Sequence, residues 1–173
     1  MMAVALTAVV VALACQFTGV LDRLEGDSVD ARFSLRGERP HHDVAMVAID
    51  DETFSDLALR WPFPRSLHGR VIDRLRKAGA RQVSYDVQFT EPSANERQDV
   101  ALLDAVARAR HVVLSTTEVD DHGHTGVLGG DANLRAAGRA RAANTGVQNS
   151  AAGIVRKVSG VVDGIDSFTV ASV

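Results

Sequence analysis

Three consecutive acids, Asp50, Asp51 and Glu52, directly follow an apolar run, and a tight Trp61-Pro62-Phe63-Pro64-Arg65 corner comes soon after. With Asp86, these are the carboxylates that could hold a divalent cation for hydrolysis. Asp120, Asp121, His122 and His124 form a second, metal-like group. A metal site needs three or four ligands in fixed geometry, and the remaining histidines, His41, His42, His68 and His111, are scattered. The second group therefore reads as a solvated loop, and neither a metal nor a cofactor is expected. No Ser/His/Asp or Cys/His arrangement, Walker loop or Gly-rich dinucleotide loop accompanies the acids. Gly129-Gly130, Gly160 and Gly164 are isolated turn glycines. The residue types argue against an enzyme.

The elements that must position these groups follow from periodicity. Residues 20–37 turn amphipathic and predict a helix ending near Gly37. Val44–Ile49 is a continuous apolar run, as in a strand buried on both faces. Ser66–Ala78 predicts a helix, with Leu67, Val71, Leu75 and Ala78 on one face and Gly79 as its C-terminal cap. Gln82–Phe89 alternates as a strand, with Val83, Tyr85, Val87 and Phe89 on one side. Ser93 and Glu96 have capping-box spacing before a helix over 99–109. His111–Thr116 is a third strand. The order predicts an α/β fold with a parallel three-stranded βαβαβ core. Past Glu118 the pattern weakens to a loop with one short helix. A hairpin is expected across Thr145–Asn149 and Ile154–Val158, turning at Ser150–Gly153, and Ser167–Val173 opens a last helix.

Length and composition bound the rest. The 173 residues make one domain with 46% hydrophobic and 24% charged residues. A net charge of −3 gives no basic field for nucleic acid, and 5% aromatics are too few for a base-stacking platform. The single cysteine, Cys15, excludes an internal disulfide framework. Met1–Val20 carries no charged side chain, and a bilayer core takes ~20 mostly apolar residues. A cleaved signal would have a basic start, which is missing before Asp22. Ala12-Leu13-Ala14-Cys15 matches a lipoprotein box only with Ala where Leu is usual. The preferred reading is a transmembrane helix over 1–20 and an extracytoplasmic domain over 21–173.

A resemblance joins these features. Asp30-Ala-Arg-Phe33 with Arg36, Val47-Ala-Ile-Asp50-Asp51, the Trp61–Arg65 corner, Ala78-Gly79-Ala80, Asp86-Val-Gln-Phe89 and Gly153-Ile-Val-Arg156 follow the apolar span in order. As a set they resemble the second type of CHASE domain, an extracytoplasmic sensing module of bacterial adenylate/guanylate cyclases, histidine kinases and serine/threonine kinases. The resemblance implies a sensor in the cell membrane that relays an unknown small-molecule or envelope stimulus to a cytoplasmic cyclase or kinase. Such modules precede further membrane helices and an effector, so the chain ending at Val173 reads as a truncated or isolated form. A homodimer is plausible because the effectors act in pairs, although no heptad pattern argues for it. The alternative is a membrane-tethered structural or protein-binding module without ligand sensing.

The βα order gives the acids a location, because the carboxyl ends of strands in open α/β sheets are the usual ligand site. Asp50, Arg65 and Asp86, with Ser84 nearby, are expected to meet there, and Trp61 to stand beside them as a ligand contact. Bracing by an Arg–carboxylate pair is the competing and favoured role. Trp61 and Phe63 read as a plug at the sheet edge before they read as a ligand wall.

Overall fold

Backbone amides and carbonyls that leave water must find partners, and where they find them separates the true strands from the apolar runs. The computed structural model describes residues 20–37, 43–147, 155 and 158–173. The expected span over 1–20 lies essentially outside them, and among the described residues no helix is long and apolar enough to cross a membrane. The chain divides into two units, Met1–Ala48 and Ile49–Val173.

The first unit contains α1, Val20–Arg36, as the amphipathic pattern predicts. Its exposed face is tied back on itself: Arg32 Nε donates to the Ser28 carbonyl at 3.1 Å, and Ser34 Oγ to the Asp30 carbonyl at 3.0 Å. Val44–Ile49 forms no strand, which corrects the expected first strand of the sheet. Its larger side chains stand between 41% and 93% exposed. Continuous hydrophobicity fits a buried strand, yet a strand also needs a ladder partner, and this run has none among the described residues.

In the second unit the acid triplet starts a helix, α2, Asp51–Leu57. Asp50 is its N-cap: its carboxylate accepts from the Thr53 N–H at 3.0 Å, while Thr53 Oγ1 accepts from the Asp50 N–H at 3.4 Å. This reciprocal box satisfies two orphan donors, and Asp51 and Glu52 in the first turn suit the positive end of the helix dipole. Next comes α3, Arg65–Lys77. Gly79 (φ 96°) closes it with Gly79 N–H on Arg76 O and Ala80 N–H on Leu75 O, both 3.1 Å. That double bond pattern needs the left-handed backbone glycine tolerates.

The sheet contains β1 (Val83–Tyr85), β2 (Val112–Thr116) and β3 (Arg141–Asn144), all parallel, in the order β1-β2-β3. The parallel three-stranded sheet is as expected, but its third member is β3. The stretch 118–144, read as mostly loop, also holds a 3-10 turn at Val127–Gly129 and α5, Asp131–Ala136. Arg-Ala-Ala-Asn has little strand propensity. Pairing with the wholly buried β2 makes it a strand, a tertiary effect that overrides local preference. The alternation over 82–89 outlasts the ladder, which ends at Tyr85, because Phe89 stays buried beyond it.

α4, Glu96–Ala109, crosses from β1 to β2. Its cap is Asn95, whose side chain accepts from the Arg97 N–H at 3.1 Å, and not the expected Ser93. Ser93 donates its hydroxyl to the Asn95 carbonyl and its N–H to Asp99. The expected hairpin over 145–158 and the Gly153–Arg156 motif lie largely outside the described residues. An antiparallel pair forms later, between β4 (Val161–Val162) and β5 (Ile165–Asp166). Asp163 (φ 50°) and Gly164 (φ 84°) turn it, as a tight two-residue hairpin demands. Ser167 then caps α6, Phe168–Ala171, where the last helix was expected.

One face of the sheet, with Val83, Tyr85, Val112 and Leu114, packs under Ile72 of α3 and Leu102 and Val106 of α4. The opposite face of β2 packs Val113 against Ala143 and Ala171. The two helices meet closely at Gly69: a Cβ there would lie 3.0 Å from the Ala101 carbonyl and 3.3 Å from Ala105 Cβ. Glycine is what lets these backbones approach.

Candidate functional site

The Pro corner and β1 deliver their aromatic residues to one place. Phe63, His68, Tyr85 and Phe89 are all buried. His68 lies edge-on to Tyr85 and Phe89, with ring centroids 5.8 and 5.2 Å apart. Such tilted contacts suit the ring quadrupoles. Phe54 of α2 reaches in to Phe63 at 5.0 Å. Trp61, joined to Pro62 by a cis peptide, covers the group from outside. It meets Phe63 and His68 edge-on at 5.5 and 5.9 Å and remains 50% exposed.

Inside this box His68 Nδ1 lies 2.9 Å from Tyr85 Oη. Burial, and secondly the positive charge of Arg65, hold the His68 pKa below its usual value, against a hydrogen bond to the Phe63 backbone that favours the charged form. Burial pushes the Tyr85 hydroxyl up to about 12. Both groups are therefore neutral near pH 7. The assignment consistent with these environments has Tyr85 O–H donate to Nδ1, with the ring proton on the other nitrogen.

Arg65 closes one end of the group. It forms an ion pair with Asp99 at 2.8 Å, donates to the Glu91 carbonyl, and carries its guanidinium 5.5 Å from the Phe89 ring centroid. Asp99 also accepts the Ser93 N–H at 3.0 Å, and Gln98 Oε1 accepts the Ser66 N–H at 2.9 Å. The first turns of α3 and α4 are thus stitched together by charge-assisted and neutral hydrogen bonds.

The structure does not assemble the expected polar cluster. Arg65 turns to Asp99 and makes no ion pair or hydrogen bond with Asp50 or Asp86. Asp50 serves as a helix cap, and its pKa is lowered chiefly by the Thr53 backbone N–H and then by the Thr53 hydroxyl. Asp86 is exposed, and its side chain has no hydrogen-bond or ion-pair partner among the described residues. Among the described residues Ser84 is engaged only by Gln82, at 3.5 Å. Sequence reasoning located Arg65 and Trp61 but missed Asp99 and the His68–Tyr85 pair. A signal for them existed: His68 lies on the helix face carrying Val71, Ile72 and Leu75, and Tyr85 alternates with Val83 on the inward side of its strand.

The Asp120 loop is internally braced. The Asp120 carboxylate accepts the N–H groups of His122 and His124 at 2.9 and 2.8 Å, and these, His124 first, lower its pKa. His124 Nδ1 lies 2.7 Å from Asp131. Among the described residues no group of three or more His, Cys, Asp or Glu is arranged to hold a metal ion.

Compared with known families, the chain is matched over residues 4–172 by the model described as the CHASE2 domain. No curated protein and no solved structure matches it.

Two outcomes follow from the geometry. Phe63 fills the plug position while Trp61 is half-exposed, so Phe63→Ala should cost about 3 kcal/mol in urea denaturation and Trp61→Ala clearly less. The second concerns pH. The unfolded chain takes up the His68 proton near ~6.5, and the folded one resists it, so this stability is full above that value and declines as pH falls below it. Urea midpoints of the unmodified chain should drop between about pH 7.5 and about pH 5. His68→Phe should flatten the drop, and equal slopes would contradict the assignment.

Proposed function

The chain belongs to the CHASE2 domain family, a family of extracytoplasmic sensory domains, and from that membership we propose that it is the sensing part of a bacterial membrane receptor. The observation that carries this reading is the family match over nearly the whole chain. In the proposal residues 1–20 anchor the domain, and a stimulus in the envelope shifts its packing. A cytoplasmic cyclase or kinase of the intact parent protein then reads the shift.

A relay of this kind needs an element with two arrangements that the stimulus stabilises unequally. The joint between α3 and α4 has the right ingredients. Arg65 locks the two helices by charge, His68 is a buried group that answers to protons, and Trp61 is the half-exposed edge where the buried group meets the surface. Arg65 and Trp61 are the residues through which we expect a stimulus to act. In this reading Asp50 sets the start of α2 and Asp86 contributes a solvated charge at the sheet edge. Sensory rather than catalytic work is what the family implies.

The test is a chimera in which residues 1–173 replace the sensory part of a membrane-bound adenylate cyclase. A phosphatase fused after Val173, active only outside the cytoplasm, first establishes placement. Cyclic AMP output should then differ by at least ~2-fold between the unmodified chimera and Arg65→Ala at equal membrane abundance. Identical output from both would overturn the relay.

A further inference from the structure

Of the described histidines, His68 is the buried one, 3% exposed, while His111, His122 and His124 stand at the surface. A buried imidazolium is tolerable only with a counter-charge, and no acid among the described residues pairs with this ring. On α3 itself the neighbouring charge is Arg65, a second cation, which is committed to Asp99 from the first turn of α4. The corner presents Trp61 and Phe63, β1 presents Tyr85, and Phe89 closes the group from beyond β1. Where α4 meets α3 at Gly69, the nearest atoms are those of Ala101, Leu102 and Ala105. α2 contributes Phe54, through Phe63. Asp86 and Glu91, the acids on either side of Phe89 in the chain, are exposed.

A proton arriving at His68 therefore meets three penalties at once. The charge lies away from water, and it stands beside another cation. It also reverses the 2.9 Å hydrogen bond: protonated Nδ1 becomes a donor, so the Tyr85 hydroxyl must turn to accept, and its own proton loses the acceptor it had. One movement relieves all three. His68 sits a single turn from Arg65 at the start of α3, against a Trp61 that is half-exposed. The ring reaches water once the corner and this first turn lift. Ile72, a turn further on, stays packed with Leu102 and Val106.

We propose that the His68–Tyr85 pair is a proton-operated latch: uptake of one proton at His68 releases the Trp61–Pro64 corner and the first turn of α3 from Tyr85 and from α4. The neutral pair holds the latch shut. Its opening is local and precedes any loss of the sheet, which sets it apart from a decline in global stability. In the sensory reading, acidification outside the membrane becomes the stimulus, and the Arg65–Asp99 contact is where α4 feels it. That consequence rests on the reading above, whereas the latch itself does not.

Trp61 is the chain's single tryptophan, so acrylamide quenching of its fluorescence reads the corner alone. The full chain in dodecyl maltoside micelles would be titrated without denaturant from about pH 7.5 to about pH 5, a range that brackets the ~6.5 of a free imidazole. The quenching constant should rise at least about twofold along a one-proton curve while the far-UV circular dichroism stays unchanged, as for a local opening. His68→Asn offers Tyr85 an amide oxygen and cannot titrate. In it, and in His68→Phe, the constant should stay at its low neutral-pH value. A flat constant in the unmodified chain would overturn the latch, even where neither variant folds. So would an unchanged rise in a folded variant, or a rise that comes only with loss of the circular dichroism signal. Release of Trp61 with no change in chimera output on external acidification would overturn the stimulus and leave the latch standing. An output that depends on Arg65 in a chain whose Trp61 ignores pH would overturn the latch and leave the relay standing.

Discussion

The close approach of α3 to α4 is the constraint on which the rest of the second unit depends. Gly69 lets the two backbones meet, and Ile72, Leu102 and Val106 then cover the sheet. The same approach draws the first turns of the helices together. Arg65 enters this joint with only 14% of its side chain exposed and Asp99 with 25%. A charge so far removed from water is tolerable only with a partner. The pair therefore fixes the register in which α3 lies on α4. His68, in the same first turn of α3 as Arg65, lies against Trp61, Tyr85 and Phe89.

A parallel sheet this small leaves little redundancy. β2 is covered on both faces and paired on both edges, by β1 and by β3. β1 brings Tyr85 to His68 on one side, and β3 pairs along the other. Tyr85, the partner of the buried His68, thus sits beside Leu114 of this central strand. A change at this pair would work against that frame, which suits a member of a sensory domain family.

The periodic elements were legible because their burial is written at short range. α3 and α4 carry apolar faces at helical spacing, and the short β-branched run of β2 reads as a strand by its length and composition. What was not legible depended on distant partners. Val44–Ile49 has the composition of a central strand and no ladder partner among the described residues, while Arg141–Asn144 has the composition of a loop and becomes a strand beside β2. Asp163-Gly164 is a hairpin signal in plain view, overshadowed by the stronger β-branched residues before it. At the site, the corner residues stood out, but the partner of Arg65 did not. Asp99 looks in sequence like an ordinary acid in a first helical turn, and only the Gly69 approach makes it the counter-charge. Asp50 drew attention as possible chemistry because a helix cap and a catalytic acid look alike until the helix that follows is recognised.

The central claim is that the Arg65–Asp99 pair couples α3 to α4, and a double-mutant cycle measures that coupling directly. Arg65→Ala, Asp99→Ala and the double variant would be compared by urea denaturation at neutral pH. The account predicts a coupling of about 1.5 kcal/mol or more, as for a partly buried charge-assisted contact. A coupling within ~0.3 kcal/mol of zero, the additivity of independent sites, would contradict it.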